Sequence, residues 1–135
     1  MKICVSASAN SLDAPIDPRF GRCPYFVIVD SETMQFEAIP NVASGTMGGA
    51  GIQAAQTIAS KGAKVLITGN VGPNAFQALS AAGIKIVTGA AGTVREVVEK
   101  YKRGELEGTS APTVGGHFGM VAGRGRGWRQ RRWEP

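Results

Sequence analysis

The sequence predicts an α/β domain built on a mixed five-stranded sheet. Three short segments rich in β-branched and aromatic residues come first, and helix-like and strand-like patterns then alternate. Glycine accounts for 19 of the 135 residues, about twice its usual share. Most of these glycines lie between the periodic segments, so a single folded domain with glycine-rich loops is expected.

The first part of the chain predicts three strands. Residues 2–8 (KICVSAS) carry apolar side chains at both odd and even positions, as in a central strand covered on both faces. Residues 25–30 (YFVIVD) and 35–39 (QFEAI) flank a short polar turn and predict a hairpin. Residues 10–24 contain three prolines and a glycine, which are too many breakers for a helix. We therefore expect a long loop between the first two strands.

The remaining elements alternate between helix and strand. Each of the last two strands leads through a Thr-Gly-x-x-Gly turn into a helix. Thr93, followed three residues later by Glu96, predicts a capping box at the start of the last helix. The predicted helices are residues 52–60, 74–82 and 93–102, and the predicted strands are residues 64–68 and 85–88.

Right-handed crossovers with helices on both faces give the strand order 3-2-1-4-5, the three-layer arrangement of ribonuclease-H-like folds. Strands one, three, four and five then point the same way. Four loops, residues 9–23, 40–51, 69–73 and 89–93, consequently gather at the carboxyl edge of the sheet. Open α/β sheets bind ligands at this edge, so we expect the binding site there.

Several function classes are disfavoured. Residues 1–107 contain no histidine, and strand one carries none of the acidic residues that hold magnesium in a ribonuclease H. The chain has neither a dinucleotide fingerprint nor a phosphate-loop motif. A nuclease and a Ser–His nucleophile are therefore not expected. No apolar run is long enough for a membrane span, and the start lacks a signal-peptide pattern, so a cytoplasmic protein without membrane contact is expected.

The loops are suited to a bulky anion. Glycine-rich segments lead into helices, whose first N–H groups are unsatisfied and carry partial positive charge. Arg19 and Arg22 add full positive charges in the first loop. A nucleotide phosphate and an anionic metal–sulfur cluster both satisfy this description.

Four ordered motifs, DPRFGRCPYFVIVD, GGAGIQAAQ, TGNVGPNAFQAL and GTVREVVEKYKRGEL, resemble the dinitrogenase iron-molybdenum cofactor biosynthesis family across residues 1–107. This family includes nitrogenase accessory factors and the small orange proteins, which hold a molybdenum-copper-sulfide cluster. The resemblance implies a non-catalytic protein that binds, stores or delivers a preformed metal–sulfur cluster, either iron–sulfur or molybdenum-containing. An acceptor apo-protein is the expected partner. The oligomeric state stays open, with a homodimer as one option, because a fully cysteine-ligated four-iron cluster would need a second chain or outside ligands.

Residues from three loops are the candidates for contact with the cluster, and each has an ordinary alternative. The arginines could pair with Asp13 and Asp17, the asparagines could cap the second helix, and the glycines could meet backbone demands alone. The candidates are Arg19, Phe20, Gly21, Arg22, Cys23, Gly48, Gly49, Gly51, Gly69, Asn70, Gly72 and Asn74.

Cys23 and His117 are the candidate metal ligands. Cys23 could equally be a small buried apolar residue, and His117 could be a solvent-exposed side chain in a glycine-rich segment. Cys4 lies inside the first strand and is expected in the core. Met47 and Met120 are weaker thioether candidates.

Residues 108–135 form a predicted flexible, disordered tail rich in glycine and arginine. Residues 124–135 contain five arginines and one glutamate, so they carry four of the five net positive charges of the chain. Trp128 and Trp133 lie among these arginines, which makes single-stranded nucleic acid an alternative partner. A solvated tail that aids solubility or docks on an acidic partner is the simpler interpretation. A small regulatory domain that binds a nucleotide or another small anion remains the third hypothesis.

Overall fold

The computed structural model describes residues 1–41 and 50–109. These residues form one five-stranded sheet and three helices. The strands are β1 (Lys2–Ala7), β2 (Tyr25–Asp30), β3 (Phe36–Pro40), β4 (Ala63–Ile67) and β5 (Lys85–Val87), and the helices are α1 (Ala50–Ser60), α2 (Pro73–Ala81) and α3 (Val94–Lys102).

The sheet has the predicted order β3-β2-β1-β4-β5. β1 pairs antiparallel with β2 and parallel with β4, while β2 and β3 form the predicted hairpin. β5 runs parallel to β4. β1, β3, β4 and β5 therefore share one direction, and the loops that follow them leave the sheet at the same edge. Element boundaries differ from the predicted ones by only one or two residues at each end.

Helices cover both faces of the sheet, which makes three layers. On one face Cys4 of β1 belongs to a core with Ile58 of α1 and Leu79 of α2. On the other face Ile3 and Val5 belong to a core with residues of α3. Alternate side chains of a strand point to opposite faces, so the apolar run of residues 3–5 supplies both cores. This arrangement explains why β1 lacks a polar face and confirms that Cys4 is a core residue.

The predicted capping box of α3 is present. The Thr93 side chain accepts a hydrogen bond from the Glu96 N–H, and the Glu96 carboxylate accepts one from the Thr93 N–H. Two N–H groups that the helix leaves unpaired at its start are thereby satisfied.

After α3 the chain returns along the outer edge of β5. Gly104 adopts a positive φ of 76° and turns the chain. Thr109 then donates its N–H to the Ile86 carbonyl and accepts a hydrogen bond from the Thr88 N–H at 3.1 Å. None of the helices within residues 1–41 and 50–109 is both long and apolar enough to cross a membrane.

Candidate functional site

A cleft of about 470 Å³ opens at the carboxyl edge of the sheet. Its walls come from the loop after β1 and from the N-terminal turns of α1 and α2. The lining residues are 19–22, 50–52 and 70–75. The cleft therefore lies where the strand order predicts a ligand site, beside the point between β1 and β4 where the strand order reverses.

Glycines allow the walls to approach one another closely. A Cβ atom on Gly51 would lie 2.8 Å from the Cβ of Ala75, so a side chain at this position of α1 would collide with α2. A Cβ atom on Gly21 would lie 3.2 Å from the Gly51 nitrogen. Because two helices begin side by side here, the positive ends of both helix dipoles face the cleft.

The start of α2 presents backbone donors to this space. Its N-cap is Gly72, which has no side chain to cap the helix, and Pro73 follows at the first helical position. Within the described residues, the N–H groups of Asn74 and Ala75 have no hydrogen-bond acceptor. They are therefore available to an anion at the helix N-terminus.

The alternative that Asn70 and Asn74 cap α2 is wrong, because Gly72 occupies the N-cap and no side-chain cap forms. Asn70 instead donates its N–H to the Pro18 carbonyl at 2.7 Å, which joins the loop after β4 to the loop after β1. Asn74 lies in the first turn of α2. Both asparagines line the cleft.

Arg19 lines the cleft and also pairs within its own loop. Its Nε donates to Asp17 Oδ1 at 3.1 Å, and its Nη2 donates to Asp17 Oδ2 at 2.9 Å. The hydrogen bonds from Arg19 hold the pKa of the Asp17 carboxyl below its usual range, since they favour the charged form. Asp13 pairs elsewhere, with Arg95 of α3 at 3.2 Å. Arg19 therefore pairs with Asp17 and lines the cleft at the same time, and its side chain is 64% exposed.

Arg22 is the second arginine of the lining. Its N–H donates to the Arg19 carbonyl at 3.1 Å, which closes a turn between the two arginines. Phe20, at this turn, packs its ring 5.4 Å from that of Phe26 in the core. The turn is therefore fixed to the core by an aromatic contact, and both of its arginines are lining residues of the cleft.

Cys23 lies beneath the cleft and is fully buried. Its S–H donates to the Phe20 carbonyl at 3.2 Å. Burial, and then the charge of Asp17, raise the pKa of this thiol to about 12. Burial likewise raises the pKa of Cys4 well above its ordinary value. In this structure the surroundings of Cys23 are those of a small buried apolar residue.

Gly69 packs against Pro18 and stands outside the cleft lining. A Cβ atom at Gly69 would lie 2.5 Å from the Pro18 Cβ and 2.6 Å from its Cα, so only glycine fits. Its role is to let the loop after β1 cross the end of β4.

The remaining candidate positions lie outside the described residues. These are Gly48, Gly49, Met47, His117, Met120 and the arginines and tryptophans of residues 124–135. Among residues 1–41 and 50–109, no group of three or more His, Cys, Asp or Glu side chains is placed to hold a metal ion.

The loops at the carboxyl edge line two clefts. Residues 90–93 lie with Pro15, Ile16 and Pro18 around a second, largely apolar space of about 500 Å³. The paired Thr-Gly-x-x-Gly turns therefore do not line one cleft, although they are hydrogen-bonded to each other through the Gly89 N–H and the Gly69 carbonyl. Residues 15–19 contact the first turn at Asn70 and the second at Thr93, and so separate the two spaces. Only the turn after β4 contributes to the first cleft.

The first cleft also contains apolar residues that the sequence analysis missed. These are Ala50, Ile52, Val71, Pro73 and Ala75. They carry no chemical signal of their own, and their only indication in the sequence is their position in or beside the first turn of a helix.

Two arginines, two helix N-termini and apolar walls line the cleft of this small α/β protein. The chain belongs to the dinitrogenase iron-molybdenum cofactor family, whose model matches residues 1–104.

Solved structures and a curated relative show the same similarity. The apo form of the orange protein from Desulfovibrio gigas is 46% identical, with a TM-score of 0.81 over 82% of this chain and 94% of that one. A NifB-like protein from Thermotoga is 34% identical, with a TM-score of 0.70 over 79% and 91% of the two chains. An uncharacterized protein of Methanocaldococcus jannaschii is 33% identical over 79% of this chain and 90% of its own length.

Proposed function

We propose that this protein is a non-catalytic carrier that binds a preformed, anionic metal–sulfur cluster in the first cleft and delivers it to an acceptor apo-protein. The observation that carries the proposal is the composition of the lining: it combines Arg19, Arg22 and helix N-terminal donors with no thiolate. Such a site attracts an intact anion through charge and hydrogen bonds. Within residues 1–41 and 50–109 the lining contains no cysteine or histidine with which to assemble a cluster from bare metal ions.

The apolar walls favour a sulfur-rich anion over a phosphate. Sulfide ligands are large, polarisable and weakly hydrated, so they lose little when they contact Phe20, Ile52 and Val71. A phosphate is strongly hydrated and requires a polar partner on each oxygen. Family membership supports the same cargo class, with iron–sulfur and molybdenum-containing clusters both included.

Release of the cargo needs no chemical step by the protein. Cargo held by hydrogen bonds and charge leaves when an acceptor offers covalent ligands such as thiolates. Delivery then follows from the difference in bond type between carrier and acceptor, which is why the proposal includes no catalytic residue.

The test is anaerobic loading of the full chain, purified without chelators. The protein is incubated with iron plus sulfide and, separately, with tetrathiomolybdate, and the small molecules are then removed. We expect charge-transfer absorption bands and stoichiometric metal and sulfide in at least one sample. A colourless, metal-free protein after both incubations, or protection from heat by nucleotides alone, would contradict the carrier proposal and favour the regulatory domain.

A further inference from the structure

The anion cleft depends on a residue that does not line it. Asp17 lies outside the lining, and its side chain is only 7% exposed, whereas that of its partner Arg19 is 64% exposed. The carboxylate accepts three hydrogen bonds from Arg19, from N at 2.9 Å, Nε at 3.1 Å and Nη2 at 2.9 Å. The buried Asp17 carboxylate thus holds the exposed Arg19 side chain by hydrogen bonds.

Asp17 is itself fixed to the ends of two strands. Its N–H donates to the Ser6 carbonyl at 2.8 Å, and its carbonyl accepts from Ser6 Oγ at 2.6 Å. Ser6 Oγ also lies 2.7 Å from Thr68 Oγ1, directly after β4. Ser6 and Thr68 are both fully buried. The carboxylate therefore has a position set by the central strands rather than by the loop.

The backbone between the two residues is equally constrained. Pro18 fixes its own φ, and its carbonyl accepts the Asn70 N–H at 2.7 Å. Gly69 allows Pro18 to approach closer than any residue with a Cβ atom would permit. The backbone of Arg19 is consequently held at a fixed position on the cleft wall.

Holding the guanidinium group has a consequence for binding. A free arginine loses considerable side-chain entropy when it is immobilised on a ligand. The hydrogen bonds to Asp17 already restrict the Arg19 side chain before a ligand binds. Arginine has five N–H donors, and Asp17 engages one on Nε and one on Nη2. Three donors thus remain for an anion.

We infer that Asp17 is a positioning residue for anion binding, because it presents the Arg19 guanidinium group to the cleft in a fixed orientation. The inference rests on the proposed function for its cargo but on the described contacts for its geometry. It makes a prediction opposite to simple electrostatics. Removing a negative charge beside an anion site should strengthen binding by Coulomb's law alone, whereas loss of positioning weakens it.

The binding test uses the full chain and tetrathiomolybdate as the probe. We expect Asp17→Asn to weaken binding about fivefold, the size of a typical net hydrogen-bond contribution. In an Arg19→Ala background, Asp17→Asn should produce no further weakening. Asp13→Asn is the matched control, because Asp13 is an exposed carboxylate of the same loop paired with Arg95, and binding should not change. Unchanged or tighter binding by Asp17→Asn would overturn the inference.

A second readout does not depend on the cargo. In nitrogen-15 NMR spectra the Arg19 Nε–H signal should be shifted from free arginine in the parent protein. In Asp17→Ala it should return to the free position while the backbone amides of β1 and β4 stay unchanged. If the parent protein fails to bind tetrathiomolybdate but shows this NMR behaviour, the carrier proposal loses support and the positioning role stands. An Arg19 Nε–H chemical shift that does not change in Asp17→Ala would overturn the positioning role itself.

Discussion

Arg19 and Cys23 are four residues apart in one loop, yet their surroundings are opposite. Arg19 is directed to the cleft by a buried carboxylate, while Cys23 is fully buried with its thiol on a backbone carbonyl. The motif in the sequence places both residues near the site but does not show which one faces it. Burial decides the matter, and burial depends on how the loop crosses the sheet.

Replacing both arginines of the cleft should abolish cargo retention without unfolding the protein. In Arg19→Ala/Arg22→Ala the lining loses its two full charges, while both cores remain intact. We expect at least a tenfold loss of retained metal after anaerobic loading, on the order of one charge-assisted contact, with an unchanged circular dichroism spectrum. Arg95→Ala, which removes an exposed arginine from α3, is the control and should retain metal normally. Equal metal content in the folded double variant would exclude this cleft.

The Cys23 thiol should be inert in the folded protein. With a pKa of about 12, only on the order of one molecule in 10,000 carries the thiolate at pH 8. We therefore expect iodoacetamide to modify neither cysteine at this pH until denaturant is added, as measured by mass spectrometry. Rapid alkylation of Cys23 in the native protein would show that the thiol is accessible and would restore it as a candidate metal ligand.

At the scale of elements, the site is made by the starts of two helices and the ends of two strands. Apolar runs, helical periodicity and turn residues were sufficient to predict every strand and helix in the described residues. The capping box of α3 was predicted from two residues. The cap of α2 was not, since Asn74 follows Pro73 and lies inside the helix.

The contact between α1 and α2 provides a test at this scale. Gly51→Ala would place a methyl group 2.8 Å from the Ala75 Cβ and force the helix starts apart. Overpacking of this kind costs about 1–3 kcal/mol of unfolding free energy, and tetrathiomolybdate binding should weaken with it. The measurement is urea denaturation alongside anion titration.

The compensating variant is Gly51→Ala/Ala75→Gly, which moves the methyl group from one helix to the other. The spacing between the two helices should be restored, so we expect anion affinity to return and stability to approach that of the parent, because alanine in α1 offsets glycine in α2. A Gly51→Ala variant that is as stable and binds as tightly as the parent would contradict the close approach of the two helices.

At the scale of the whole molecule, the sheet topology brings the loops together at the carboxyl edge. Residues 15–19 then separate the two clefts that these loops line. The strand order followed from the handedness of crossovers and from the apolar character of residues 2–8, so the edge that carries the site was predictable. The separation of these two clefts was not predictable, because it depends on how residues 15–19 contact the turn after β4 at Asn70 and the turn after β5 at Thr93. Local sequence patterns do not encode such a long-range path.

The most direct test of the central claim is a titration of the nitrogen-15-labelled full chain with tetrathiomolybdate, followed by backbone amide NMR. We predict saturable shifts concentrated at residues 19–22, 50–52 and 70–75, with large effects at Asn74 and Ala75, whose N–H groups lack acceptors in the described residues. Shifts concentrated at residues 90–93 would place the anion in the other cleft. Shifts at neither cleft would contradict the account.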